Sequence, residues 1–143
     1  MLQKSDIANP FDDHDWDNRV LSAKNYSFFH SASWARVLCE SYGYRPLYFT
    51  WTSTGRIQAL IPCMEITSLF TGKRAVSLPF TDYCEPILED EFSNETFHPL
   101  MHKLIAYGKN AAWESIELRP GISLSREFVS SRTYYGHTLD ISK

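Results

Sequence analysis

Between residues 45 and 66 the apolar positions alternate with a period of two. Leu47, Phe49 and Trp51 are interleaved with Tyr48, Thr50 and Thr52, and Ile57, Ala59, Ile61 and Cys63 continue the alternation beyond "STG". Such alternation is the signature of strands, and Gly55 supplies the positive φ of a tight turn. "RPLYFTWTS" and "GRIQALIPCMEI" therefore predict an antiparallel hairpin. Pro62 cannot donate a ladder hydrogen bond, so a bulge or an edge is expected there.

On either side the period changes to that of a helix. In "SASWARVLCESYG", Trp34, Val37, Leu38 and Tyr42 fall on one face. Ser31 or Ser33 suits the helix start, and Gly43 suits a left-handed end. In "FHPLMHKLIAYGKNAAW", Phe97, Leu100, Met101, Leu104, Ile105 and Ala112 form a second apolar stripe, with Pro99 in its first turn. Residues 1–15 read as an irregular lead, and "DDHD" (Asp12 to Asp15) caps a short helix through Trp16, Val20 and Leu21. "SLFTGKR" reads as a loop, "AVSL" as a short strand, "SIELR" as a strand, "PGISLSREF" as a loop and "YYGHTLDI" as the last strand. The order α–β–β–β–α–β–β predicts an α/β (α+β) fold, a mixed and mostly antiparallel sheet flanked by helices.

With 143 residues, one domain is expected. A formal net charge of −3 argues against a nucleic-acid surface as the main function. Aromatic residues make up 15% of the chain, enough to line a groove as well as a core. Three scattered cysteines, Cys39, Cys63 and Cys84, form no CxxC and fit free thiols in a reducing cytoplasm. No apolar run approaches the roughly 20 residues of a transmembrane helix.

Two stretches carry candidate chemistry. In "AVSLPFTDYCEPIL", Asp82, Tyr83 and Glu85 follow a strand, where open sheets place ligands. A carboxylate there binds an amine or acts as a base, and a tyrosine donates to a carbonyl. The competing reading is an Asp turn flanked by Pro79 and Pro86. In "SIELR", Glu117 and Arg119 share one strand face, either as a structural ion pair or as groups facing a substrate. His98 and His102 lie one helical turn apart without an evident third metal ligand, so a solvated face is expected. His30 is expected to close the start of the first long helix. His137 is expected to be structural, and Cys84 lacks a visible activating histidine.

The ordered set "FFHSASWARVL…YGYRPLYF", "GRIQALIP", "VSLPFTDYCEP", "IELR" and "HTLDIS", spanning about residues 16–142, resembles the Fem-type (FemAB-like) aminoacyltransferase and acyltransferase family. That resemblance implies a GNAT (acyl-CoA N-acyltransferase) fold. It also implies a chain that forms the N-terminal, acceptor-binding half of a two-half enzyme, with a second half or a second copy of the chain as partner. The implied reaction is acyl or aminoacyl transfer to an amine of a small-molecule or peptide acceptor, in cell-wall peptide or polysaccharide synthesis in the cytoplasm. Asp82, Tyr83, Glu85, Glu117 and Arg119 become its substrate-binding residues. The alternative is a non-catalytic, stand-alone binding or dimerisation module.

Two departures from the family pattern bear on this. Cys84 and Glu85 stand where the family loop has two glycines. The pyrophosphate-binding pattern [QR]-x-x-G-x-[GA] of acetyl-CoA-using relatives is missing, since no glycine is followed two residues later by Gly or Ala. The expectation is no cofactor site in this chain, with acyl-CoA or aminoacyl-tRNA entering as donor only beside a second half. Neither a metal nor direct nucleic-acid contact is expected.

Overall fold

A computed structural model describes residues 3–81, 84–89, 94–120 and 131–132. Their elements run β1 (Gln3–Ala8), α1 (Trp16–Leu21), a 3-10 turn (Phe28–His30), α2 (Ala32–Tyr42), β2 (Arg45–Ser53), β3 (Arg56–Ser68), β4 (Gly72–Val76), β5 (Ile87–Leu88), α3 (Asn94–Asn110) and β6 (Trp113–Glu117). Among the described residues they form one sheet in the order β1-β2-β3-β4-β6, with β5 pairing β3. All pairings are antiparallel except β4 with β6.

The β2–β3 hairpin forms as its alternation predicts. Ser53 pairs with Arg56, and Thr54 (φ 49°) and Gly55 (φ 80°) are both left-handed. Two left-handed residues match the right-handed twist of the flanking strands. Tyr48, Leu60 and Met64 face α1 and α2 in one core, and Phe49, Ala59, Ile61 and Cys63 face α3 in the other. A register shift opposite Trp51/Thr52 puts Ile57 in the α1/α2 core rather than in line with Ala59 and Ile61. The irregularity thus falls there and not at Pro62. Pro62 lies between the stretch of β3 paired to β5 and the stretch paired to β4. There β2 is its one ladder neighbour among the described residues, so a residue lacking N–H is accommodated.

Several expectations are corrected. The lead at 1–15 is not irregular throughout, because residues 3–8 pair with β2 from Gln3↔Ser53 to Ala8↔Tyr48. Its charged positions, Lys4 and Asp6, form an ion pair at 2.6 Å. A polar strand on an edge is held by backbone bonds, so apolar periodicity does not reveal it. Most of "SLFTGKR" is strand rather than loop: Ser68 ends β3, Gly72, Lys73 and Arg74 open β4, and only residues 69–71 turn between them. Its tip leaves Leu69 and Phe70 bare at 100% and 97% exposure. Helix α3 begins at Asn94, so Pro99 falls inside it, and it ends at Asn110, so left-handed Ala112 (φ 55°) lies beyond it.

On α2 the buried residues are Ala35 and Leu38, while Val37 and Tyr42 are 45% and 53% exposed. Trp34 turns instead to Phe28 and Phe29, with ring centroids 5.8 and 5.5 Å away, and Tyr42 packs against Phe80 in a tilted contact at 4.6 Å. Ser31 caps the helix by accepting from the Trp34 N–H at 3.2 Å, and Gly43 (φ 68°) ends it. The last strand expected at "YYGHTLDI", with His137, lies outside the described residues.

A cleft at the ends of β4 and β6

Helices α1 and α2 cover the β2–β3 part of the sheet. Beyond them, on β3, β4 and β6, a cleft of about 620 Å³ opens, lined by Tyr44, Ile66, Arg74, Val76, Pro79, Phe80, Thr81, Glu117 and Arg119. That volume is in the range of small-molecule sites.

The cleft exists because β4 leaves the ladder early. Ser77 N–H still donates to the Glu117 carbonyl at 2.8 Å, but the next strand contact, from Arg119 N–H, goes to the Ser77 hydroxyl at 2.8 Å. The chain then departs through Leu78 (φ 52°) and Phe80 (φ 64°), with Pro79 between them. Left-handed backbone at such residues costs on the order of 1–3 kcal/mol each and persists only where surrounding contacts impose it. One such contact is the Thr81 hydroxyl donating to the Leu78 carbonyl at 2.8 Å. The excursion ends where Cys84 N–H donates to the Arg119 carbonyl at 2.7 Å, taking the place that β4 vacated. Cys84 and Glu85 are not left-handed, so the glycines of the family loop are not needed at those two positions.

Arg119 holds this end together. Its Nε donates to Glu117 Oε1 at 2.7 Å and its Nη1 to the Thr81 carbonyl at 3.0 Å. The Glu117 side chain is 52% exposed, and its Oε2 takes no hydrogen bond among the described residues. The strand position thus yields both readings of Glu117 and Arg119 at once: they pair with each other, and both line the cleft. Glu85 does not join them. Its carbonyl accepts from His30 Nε2 at 2.8 Å, and its side chain is not part of the lining. Asp82 and Tyr83 lie outside the described residues.

The role of His30 is larger than its sequence position suggested. Ser27 N–H donates to Nδ1 at 3.1 Å, which puts the ring proton on Nε2, facing the Glu85 carbonyl. Burial pushes His30 below the usual histidine range despite these two bonds. Cys84 Sγ lies 3.7 Å from the same Nε2. This is the histidine that the sequence did not show, yet it does not activate the thiol. Its Nε2 is a donor already in use, and burial, with the Glu85 charge, pushes the Cys84 thiol up to about 12. His30 and Cys84 instead pin the return of the loop to the start of α2. The only signal in the sequence was a histidine flanked by serines, Ser27 and Ser31. Among the described residues no group of three metal-ligating side chains gathers, and no helix is long and apolar enough to cross a membrane.

No protein-family model matches the chain, and no curated protein matches it. Solved structures do. A ribosomal-protein-alanine N-acetyltransferase from Brucella melitensis biovar Abortus 2308 superposes with a TM-score of 0.61 at 10% identity, over 98% of this chain and 99% of that one. A GNAT family acetyltransferase from Staphylococcus aureus gives 0.59 at 12% identity, over 97% and 100%. An aminoglycoside acetyltransferase from an uncultured soil metagenomic sample gives 0.63 at 11% identity, over 99% and 100%. At these identities the likeness establishes the fold, which is of the GNAT type.

Proposed function

We propose that this domain binds the amine acceptor of an acyl or aminoacyl transfer, with Glu117 receiving the amine. The observation that carries the reading is the Glu117 carboxylate in the cleft, held through one oxygen by Arg119 and free at the other among the described residues. A carboxylate fixed in this way makes a charge-assisted hydrogen bond to an ammonium without first being ordered. Three enzymes of the same fold named above are acetyltransferases. The Fem-type resemblance of the sequence is what favours an acceptor among amines of cell-wall peptides or polysaccharides.

In the transfer, the amine gives up a proton, its nitrogen attacks the acyl carbonyl, the new C–N bond forms and the bond to the donor's leaving group breaks. Glu117 is placed to hold the amine and take that proton. The acyl donor is a separate question. Residues 77–93, which join β4 to α3, contain no glycine. In the described part of that segment Pro79 has no N–H, and the Cys84 N–H is already bonded to Arg119. Without a glycine, and with Pro79 lacking an N–H, the segment departs from the glycine-rich loop that holds a pyrophosphate, and no step is assigned to coenzyme A. The same fact favours a second reading, a binding module that takes the amine without transferring to it.

Calorimetry with hexylamine tests the amine site. The chain is expected to bind it, and Glu117→Gln to weaken binding about tenfold or more while the melting temperature stays within about 2 °C. Equal binding by the variant would overturn the assignment. Adding acetyl-CoA or an aminoacyl-tRNA and following the amine by mass spectrometry separates the two readings. An acylated amine identifies a transferase, and an unchanged amine with retained binding identifies the module.

A further inference from the structure

The cleft holds a second cation whose surroundings differ from those of Arg119. Register pairs Arg74 with Ser115 and Val76 with Glu117. Side chains two apart share a strand face, so Arg74 and Val76 on β4 lie beside Ser115 and Glu117 on β6, with Arg119 just beyond its end. From Arg74 to Glu117 is one strand across and one two-residue step along, a Cα separation of roughly 8 Å.

Arg119 is committed to Glu117 and the Thr81 carbonyl. Arg74 donates from Nη1 to the Thr71 hydroxyl at 2.8 Å and has no carboxylate partner among the described residues. The same cleft is lined by apolar and aromatic side chains: Val76 opposite Glu117, Ile66 opposite Arg74 on the β3 side, and Tyr44 and Phe80. An open carboxylate and an open guanidinium thus stand in one cleft among apolar and aromatic side chains.

We propose that the acceptor is an amine joined through a short apolar linker to an oxyanion, a carboxylate or a phosphate. Its ammonium sits on Glu117, its linker lies along Val76 between Tyr44 and Phe80, and its oxyanion is held by Arg74. The inference rests on the amine reading of Glu117 and adds the substrate class. Arg74 is suited to the oxyanion because a guanidinium presents paired N–H groups that match a carboxylate or phosphate. Arg119 has already spent its Nε and one Nη.

The test compares 6-aminohexanoate, 6-aminohexyl phosphate, hexylamine and hexanoate by calorimetry on the chain and on Arg74→Gln, Arg74→Lys and Glu117→Gln. The expected result is that at least one of the two anionic amines binds about tenfold more tightly than hexylamine. Which of the two it is distinguishes carboxylate from phosphate. Arg74→Gln is expected to bring the affinity ratio of the anionic amine to hexylamine down to about one, and Arg74→Lys to restore part of it. Hexanoate alone is expected to bind weakly. Equal affinity for hexylamine and both anionic amines overturns this proposal and leaves the amine site standing. An advantage that survives Arg74→Gln also overturns it. If Glu117→Gln binds hexylamine like the unaltered chain, the amine reading fails, and this proposal with it.

Discussion

The β2–β3 hairpin and the β4–β6 end belong to one sheet, yet they are built by opposite rules. In the hairpin most local preferences agree with the fold, the left-handed Thr54 (φ 49°) of its turn being the exception. Alternating residues fill two cores, and Gly55 takes the left-handed position that glycine tolerates. At the β4–β6 end the left-handed positions belong to Leu78 and Phe80. A side-chain hydroxyl, that of Ser77, substitutes for a ladder acceptor, and two charges stand on one strand face. Consistency across levels marks structure, and its local breakdown marks places where something other than stability has been selected. The comparison singles out the cleft as the place where the proposed amine reading is tested.

Several measurements break or sharpen this contrast. Phe49 is fully buried against α3 and packs edge-on to Tyr107 at 5.8 Å. Phe49→Ala is expected to cost about 3–5 kcal/mol in denaturant unfolding, while any folded fraction binds hexylamine as before. A matching loss of intrinsic amine affinity would show that the two regions are not separable.

His30 joins the regions, and its effect is intermediate. Removing its bond to the part-buried Glu85 carbonyl, as in His30→Ala, is expected to cost about 1–3 kcal/mol and to loosen the cleft loop. Burial lowers its pKa in the folded chain, so the unfolded chain binds a proton more readily. Its contribution is therefore complete above the ordinary histidine value of about 6.5 and is lost as pH falls below it. Unfolding free energies taken from pH 8 to pH 5 should show a downward step below pH 6.5, smaller in His30→Ala. An unchanged step in the variant would assign it to other groups.

The smallest effects come from paired turn substitutions. Gly55→Ala places a side chain at φ 80° with open space around it, and about 1 kcal/mol of stability should be lost with no change in binding. Phe80→Gly relieves a left-handed residue but removes its contact with Tyr42. Stability should change by about 0.5 kcal/mol or less, while amine affinity falls. If both variants behave alike, strain at the loop has no bearing on the site.

What the sequence made legible follows from the same contrast. The hairpin, α1, the Ser31 cap and the Gly43 end were readable because periodicity and turn chemistry are local signals. β1 was not, because its charged positions Lys4 and Asp6 break the apolar alternation and its pairing with β2 is made through the backbone. The α2 face was misjudged by part of a turn, since Tyr42 and Trp34 have aromatic partners outside the helix. Glu117 and Arg119 were readable as charges out of place on a strand. Arg74 was read as part of a loop, and its place beside Glu117 depends on the parallel register of two strands distant in sequence. His30 and Cys84 are likewise brought together across the fold.

A crystal structure of the chain with hexylamine bound tests the central claim most directly. The account predicts the amine nitrogen within about 3 Å of Glu117 Oε2, with the alkyl chain along Val76 and Arg119 still bonded to Oε1. A nitrogen seated elsewhere, with Glu117 Oε2 left to solvent, would contradict it.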